Sequence, residues 1–144
     1  MSPRRAWLLL GLALAGAAGP LPGSAEESRP VPHVEVIYFH RTLRCPACLD
    51  MEKFTDEAVG RFPAERETGR LRWRIINLDG EGNKHFEQDY ALEFNSVVLA
   101  RQANGREIAW TNLPSVWPLV GDRSNFISYV EMEIARQLEQ LPRD

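Results

Sequence analysis

Soft and metal-seeking side chains are scarce in this chain: 144 residues hold two cysteines, three histidines and three methionines. A closed structural zinc site takes four ligands, so it would consume both cysteines and two of the histidines. An excess of positive charge is also missing. Seventeen Lys and Arg stand against 20 Asp and Glu, a formal charge of −3. A mildly acidic domain has no electrostatic footprint for nucleic acid or anionic lipid. No Gly-x-Gly-x-x-Gly, Walker sequence or serine nucleophile elbow is present, so nucleotide binding and serine hydrolysis lack their signatures. The acidic set Asp79, Glu81, Glu87 and Asp89 lacks the spacing of a calcium loop and reads as a solvated turn and helix face.

What is present begins with an address label. Arg4 and Arg5 precede an apolar run, Ala6 to Ala18. Gly19-Pro20-Leu21-Pro22 breaks any helix, and Gly23-Ser24-Ala25 supplies small residues. This order is that of a secretory signal peptide, residues 1–25, cleaved after Ala25. The run is too short to span roughly 30 Å of hydrocarbon, which takes about 20 residues. No cysteine near the cleavage site could carry a lipid anchor. The expectation is an exported protein, periplasmic or secreted, with no stable membrane insertion after cleavage. Residues 26–33 read as a flexible leader, and residues 34–144 as one domain.

Both cysteines lie in Cys45-Pro46-Ala47-Cys48. In an oxidising compartment such a pair could be a structural disulfide. Closing so short a loop removes little entropy from the unfolded chain, however, so it would be a poor staple. Redox chemistry or metal ligation gives the spacing a better reason. Val34 to Phe39 before it reads as a buried central strand, and His40 to Arg44 as a loop. Pro46 suits the first helical position, where its missing N–H costs nothing. The helix is expected to run to about Phe62, with Ala47, Met51, Phe54, Ala58 and Phe62 on its apolar face.

The rest alternates in period. Leu71 to Leu78 reads as a second strand after a loop at Glu65 to Gly69. Asn83 is expected to cap a short helix ending near Leu92. Ser96 to Arg101 and Glu107 to Trp110 form a hairpin around Asn104-Gly105. Leu113 to Val120, with two prolines, reads as irregular or a single turn. Asp122 or Ser124 then caps a last helix with an apolar stripe from Phe126 to Leu141. The order β-α-β-α-β-β-α predicts an α/β fold with a mixed four-stranded sheet and flanking helices. Helical crossovers between the first three strands predict parallel pairing among them. Trp110, Trp117 and Tyr129 read as core or half-buried packing, and His85 as a surface helix residue.

This order, with Cys-x-x-Cys opening the first helix, resembles the minimal thioredoxin fold. The strand-to-helix junction, the segment Ile75-Ile76-Asn77-Leu78-Asp79 and the hairpin Val97 to Trp110 carry the resemblance across most of the chain. More narrowly, YFHRTLRCPAC, NKHFEQDY, SVVL and VWPLVGD resemble a group of small exported bacterial thioredoxin-like proteins. Members of that group are sometimes labelled nitrophenyl-compound nitroreductase subunits, although nothing in this sequence resembles a flavin site. Thioredoxins also carry a cis-proline facing the dithiol. The loop Asn95-Ser96 holds its place here, with no proline near, and Leu43-Arg44 stand where a tryptophan is usual. These departures weigh against ordinary peptide disulfides as substrates and strengthen metal ligation as the alternative.

The resemblance and the helix N-terminus together assign roles. Cys45 is expected at the N-cap, where backbone N–H groups and the helix dipole favour a thiolate. Arg44, Arg41 and His40 are candidates to stabilise it further. Cys45 attacks a disulfide and Cys48 resolves the mixed disulfide, with no cofactor. The expected function is an exported thiol–disulfide oxidoreductase acting on a redox partner protein or small thiol substrate. The alternative is a metal-binding or accessory subunit using Cys45, Cys48 and His40 as soft-metal ligands, with His85 a fourth only if the fold brings it close. A third reading is an interaction module without turnover.

Overall fold

The computed structural model describes residues 30–143; the expected signal peptide and most of the leader lie outside the described residues. A four-stranded sheet in the order β2-β1-β3-β4 forms the centre. Its strands are β1 (His33–His40), β2 (Leu71–Asn77), β3 (Ser96–Ala103) and β4 (Arg106–Asn112). Five helices accompany them: α1 (Pro46–Gly60), α2 (Pro63–Glu67), α3 (Phe86–Asp89), α4 (Val116–Leu119) and α5 (Arg123–Glu139).

The pairing of β1 with β3 corrects one expectation. β1 pairs with β2 in parallel, but with β3 antiparallel. A parallel return needs a crossover that carries the chain back to the strand's starting end. Here the β2–β3 connection begins and ends at one end of the sheet, with Asn77 opposite His40 and Ser96 opposite Phe39. Only four of its residues are helical. β3 therefore runs back down the sheet. The expected Asn83 cap is replaced for a related reason. Asn83 Nδ2 donates to the Asn77 carbonyl at 2.8 Å, locking the turn rather than opening a helix. Gly80 permits this turn, since a Cβ there would stand 3.0 Å from the Asn77 carbonyl and 2.9 Å from Asn83 Nδ2.

Other boundaries shift locally. α1 stops at Gly60, and Pro63 opens α2 where a loop was expected. Proline tolerates a first helical turn as readily as it ends a preceding one. Ile75, expected in a burying stretch of β2, is exposed, because β2 is an edge strand. The Asn104-Gly105 turn is as the sequence predicts: both residues have positive φ, 53° and 71°, which matches the twist of a two-residue hairpin.

β1 is buried on both faces. Val34, Val36 and Tyr38 face the larger core, with Met51, Phe54, Phe126, Val130 and Ile134 of α1 and α5. Ile37 and Phe39 face a smaller core with Ile76, Tyr90, Leu92 and Val98 under α3. This is the period-two alternation of a central strand covered on both sides. Phe54 and Phe126 meet edge to face at 5.6 Å and join α1 to α5.

Candidate redox site

β1 delivers the chain to the dithiol end. His40 ends the strand, Arg41 to Arg44 form a loop, and Cys45 is the N-cap of α1 with extended backbone. Cys45 is exposed, whereas Cys48, one turn into the helix, is 5% exposed. The two are disulfide-bonded, with Cα atoms 5.0 Å apart. The Cys48 backbone N–H donates to Cys45 Sγ at 3.1 Å. That N–H is one of the donors every helix N-terminus leaves unpaired, and here it points at the outer sulfur. The same donor and the helix dipole would stabilise a Cys45 thiolate after reduction.

Beneath the disulfide lies a polar cluster in which Arg44 and Asn95 are sequence candidates, whereas Tyr38 and Glu52 are not. The fully buried Tyr38 donates its hydroxyl to the Cys48 carbonyl at 2.7 Å. Burial pushes the Tyr38 phenol above its ordinary value; Arg44 and Asn95 beside the hydroxyl pull the other way, and the nearby Glu52 carboxylate adds to the rise. Arg44 lies 5.9 Å from the Tyr38 ring centroid and pairs with Glu52. Burial works to lower the Arg44 pKa, but Glu52 and Tyr38 outweigh it and hold the guanidinium above its ordinary value. Arg44 Nε is buried without a hydrogen-bond partner. Two signals could have found the cluster. Glu52 is four residues from Cys48 on one helix, hence on its face. A tyrosine hydroxyl inside an apolar strand needs a partner.

The other sequence candidates are placed as follows. Arg41 is held by Glu87 at 2.7 Å and Asp79 at 3.2 Å, and these contacts, Glu87 foremost, raise its pKa. Asp79 also accepts the Thr42 backbone N–H at 2.7 Å, the main cause of its lowered pKa. The loop before Cys45 is thus tied to the end of β2. His40 stacks on Tyr38 with ring centroids 5.9 Å apart, and its Nδ1 lies 2.8 Å from the Arg41 carbonyl. Among the described residues no three His, Cys, Asp or Glu side chains converge as a metal-binding group, so His40 is not assembled with Cys45 and Cys48 as a third ligand. His85 pairs with Asp89 on α3.

Asn95 ends the loop that leads into β3 and Ser96 opens the strand, and both are buried. Ser96 stands opposite Phe39, at the end of β1 that leads to Cys45, which places this loop at the dithiol end. No cis peptide occurs among the described residues. The loop is held instead by Trp117, whose indole N–H donates to the Asn95 carbonyl at 2.9 Å. Trp117, read from sequence as packing, therefore belongs to the site's surround. Nothing local in the sequence signals a contact between residues this far apart.

Strand order, the antiparallel hairpin and a Cys-x-x-Cys opening the helix after the central strand define a thioredoxin-like fold carrying a Cys45–Cys48 disulfide. No family model and no curated protein matches the chain. Solved structures do match. A malarial protein shares 16% identity over 71% of this chain and 97% of its own, with a TM-score of 0.43. Thioredoxin O2 from Arabidopsis thaliana, in the oxidised state, shares 11% over 66% of this chain and 76% of its own, at 0.37. Oxidised mitochondrial thioredoxin 3 from Saccharomyces cerevisiae shares 13% over 69% and 77%, at 0.39. Likeness at this level carries no argument about activity, which rests on the geometry above.

Proposed function

We propose that the protein is an exported thiol–disulfide oxidoreductase in which Cys45 attacks and Cys48 resolves. The observation that carries this reading is the asymmetry of the pair. Cys45 is exposed at a helix N-cap with a backbone N–H on its sulfur, while Cys48 is buried one turn in. An exposed thiol in that setting has its pKa lowered from about 8.5 towards the range of roughly 3.5 to 7.5. In the reduced protein the Cys45 thiolate attacks a disulfide RS–SR, forming Cys45–S–SR and releasing one RS⁻. Cys48 then attacks Cys45 Sγ, releases the second RS⁻ and closes the Cys45–Cys48 bond. The protons of the two protein thiols end on the two released thiols. The helix N-terminus supplies the positive field beside Cys45, and Arg44 and His40 are the neighbouring side chains that would add to it. The signal-like order of residues 1–25 supports export, and the resemblance to small exported bacterial proteins points to the envelope.

A Cys48→Ser variant tests the assignment. It should trap a mixed disulfide through Cys45, and Cys45→Ser should trap none. The Cys45 thiolate of the reduced protein should titrate, by its ultraviolet absorbance, well below a free thiol. Absence of any trapped species together with free-thiol titration would sink the redox reading. Loss of tight Cu(I) or Zn(II) binding in both cysteine variants would instead support the soft-metal alternative.

A further inference from the structure

Next to the Asn95 loop the surface opens into a cavity of about 530 Å³. Phe94, Leu113, Pro114 and Trp117 wall it with apolar surface. Phe94 is 65% exposed and Trp117 36% exposed, and their rings meet edge to face at 6.3 Å. Large aromatics left this open cost hydration and need a reason. The volume falls within the range of roughly 300–1,000 Å³ typical of small-molecule sites, as does an apolar lining with few polar groups. Those groups are Ser96, Asn112 and the exposed Glu93, whose charge disfavours an anionic guest.

The cavity adjoins the dithiol end through the chain itself. Phe94 and Ser96 flank Asn95, Ser96 stands opposite Phe39 in the sheet, and Tyr38 next to Phe39 holds the Cys48 carbonyl. The Asn95 carbonyl accepts the Trp117 indole N–H at 2.9 Å, which fixes the ring at the edge of the cavity. We infer that this cavity is a binding subsite for a low-molecular-weight aromatic thiol or disulfide of neutral charge, presented to Cys45. The inference rests on the redox reading for its chemistry but not for its binding. A planar ring slots against Phe94 and Trp117, gaining offset or edge contacts beyond simple area burial. The ligand's disulfide receives two electrons from the reduced cysteine pair. Its S–S bond breaks, the Cys45–Cys48 bond forms, and two aromatic thiols leave with the two protons.

The binding arm uses the oxidised protein and a redox-inert probe, benzyl methyl sulfide, followed through the Trp117 indole N–H resonance. The expected result is a saturable shift, with butyl methyl sulfide binding about tenfold more weakly and Phe94→Ala weakening the aromatic probe by about tenfold. Phe94 is exposed, so its truncation spares the fold. No saturable shift, equal affinity for the two sulfides, or unchanged affinity in Phe94→Ala overturns the subsite. The kinetic arm uses the reduced protein with dipyridyl disulfide and bis-hydroxyethyl disulfide, each rate divided by that of dithiothreitol with the same reagent. The normalised ratio should favour the aromatic disulfide by about tenfold and fall towards one in Phe94→Ala. A ratio near one in the native protein overturns presentation to Cys45. A failed redox reading is seen separately, as free-thiol titration and no trapped species, and the binding arm still decides the cavity.

Discussion

Both faces of the sheet carry ion pairs, Arg123–Glu57 and Arg61–Glu131 between α1 and α5 among them, but they differ in the packing behind those pairs. The α1–α5 face is closed by apolar packing: Met51, Phe54, Val97, Leu99, Phe126, Val130 and Ile134 are buried together. The α3 face has a smaller core under a four-residue helix and is braced by charge. Arg41 joins Asp79 and Glu87, Arg74 joins Glu35, and Tyr90 donates to Glu107 at 2.6 Å. The difference separates two tasks. The packed face anchors α1 and so fixes Cys48 and the Tyr38 contact. The braced face holds the loop that leads to Cys45, through exposed ion pairs that salt screens.

The largest test of this contrast is Phe126→Ala. Phe126 is fully buried between α1 and α5, and truncation should cost about 3–5 kcal/mol in denaturant unfolding. A cost below about 1 kcal/mol would mean that the packed face is not what holds α1.

Tyr38→Phe comes next. It removes a buried hydrogen bond to the Cys48 carbonyl, and about 1–2 kcal/mol of stability should go with it. The native protein should also show the Tyr38 titration. Because its folded pKa is raised above the ordinary 10.0, its contribution is fully present below that pH and fades as pH rises through the folded value. Alkaline unfolding curves that coincide for native protein and Tyr38→Phe would contradict this.

On the braced face Tyr90→Phe should cost less, about 0.5–1.5 kcal/mol, because the ring keeps its packing against Phe39 and Phe86 and only the bond to Glu107 goes. Burial, then the Glu107 carboxylate, hold this phenol above its ordinary value.

Asp79→Asn should have the smallest effect on global stability, and its effect should depend most on conditions. Asp79 has a lowered pKa, so its contribution is present above its ordinary 3.8 and is lost as pH falls through the lower folded value. The difference between native protein and Asp79→Asn should shrink in acid. It should also shrink at about 1 M salt, where the screening length is about 3 Å. Hydrogen exchange at Thr42 is the direct readout, since Asp79 accepts that N–H. A salt-independent difference would erase the distinction between the faces.

Much of the site could be read from the chain because it is local. Cys45 caps α1 because Pro46 starts the helix and the strand before it is a continuous β-branched and aromatic run. The hairpin follows from Asn104-Gly105, whose backbone favours positive φ. The stripe from Phe126 to Leu141 states α5 by its period, and those residues are buried. Each of these depends on neighbours within a few positions, which spacing and residue type describe.

Contacts between distant residues were decided only by the tertiary structure. β3 runs antiparallel to β1 because the β2–β3 connection stays at one end of the sheet, which no periodicity records. Arg41, four residues before Cys45 in sequence, is paired with Asp79 and Glu87. Tyr38 reaches the Cys48 carbonyl, and Trp117 takes the Asn95 carbonyl where a proline was missing. Sequence determined that a dithiol opens a helix; packing decided which hydroxyl lies beneath it, which charges flank it and which aromatic rings line the cavity nearby. The physical reason is that a hydrogen-bond partner or a cavity wall is defined by proximity in space, and burial of unpaired polar groups is too costly for the fold to leave those choices open.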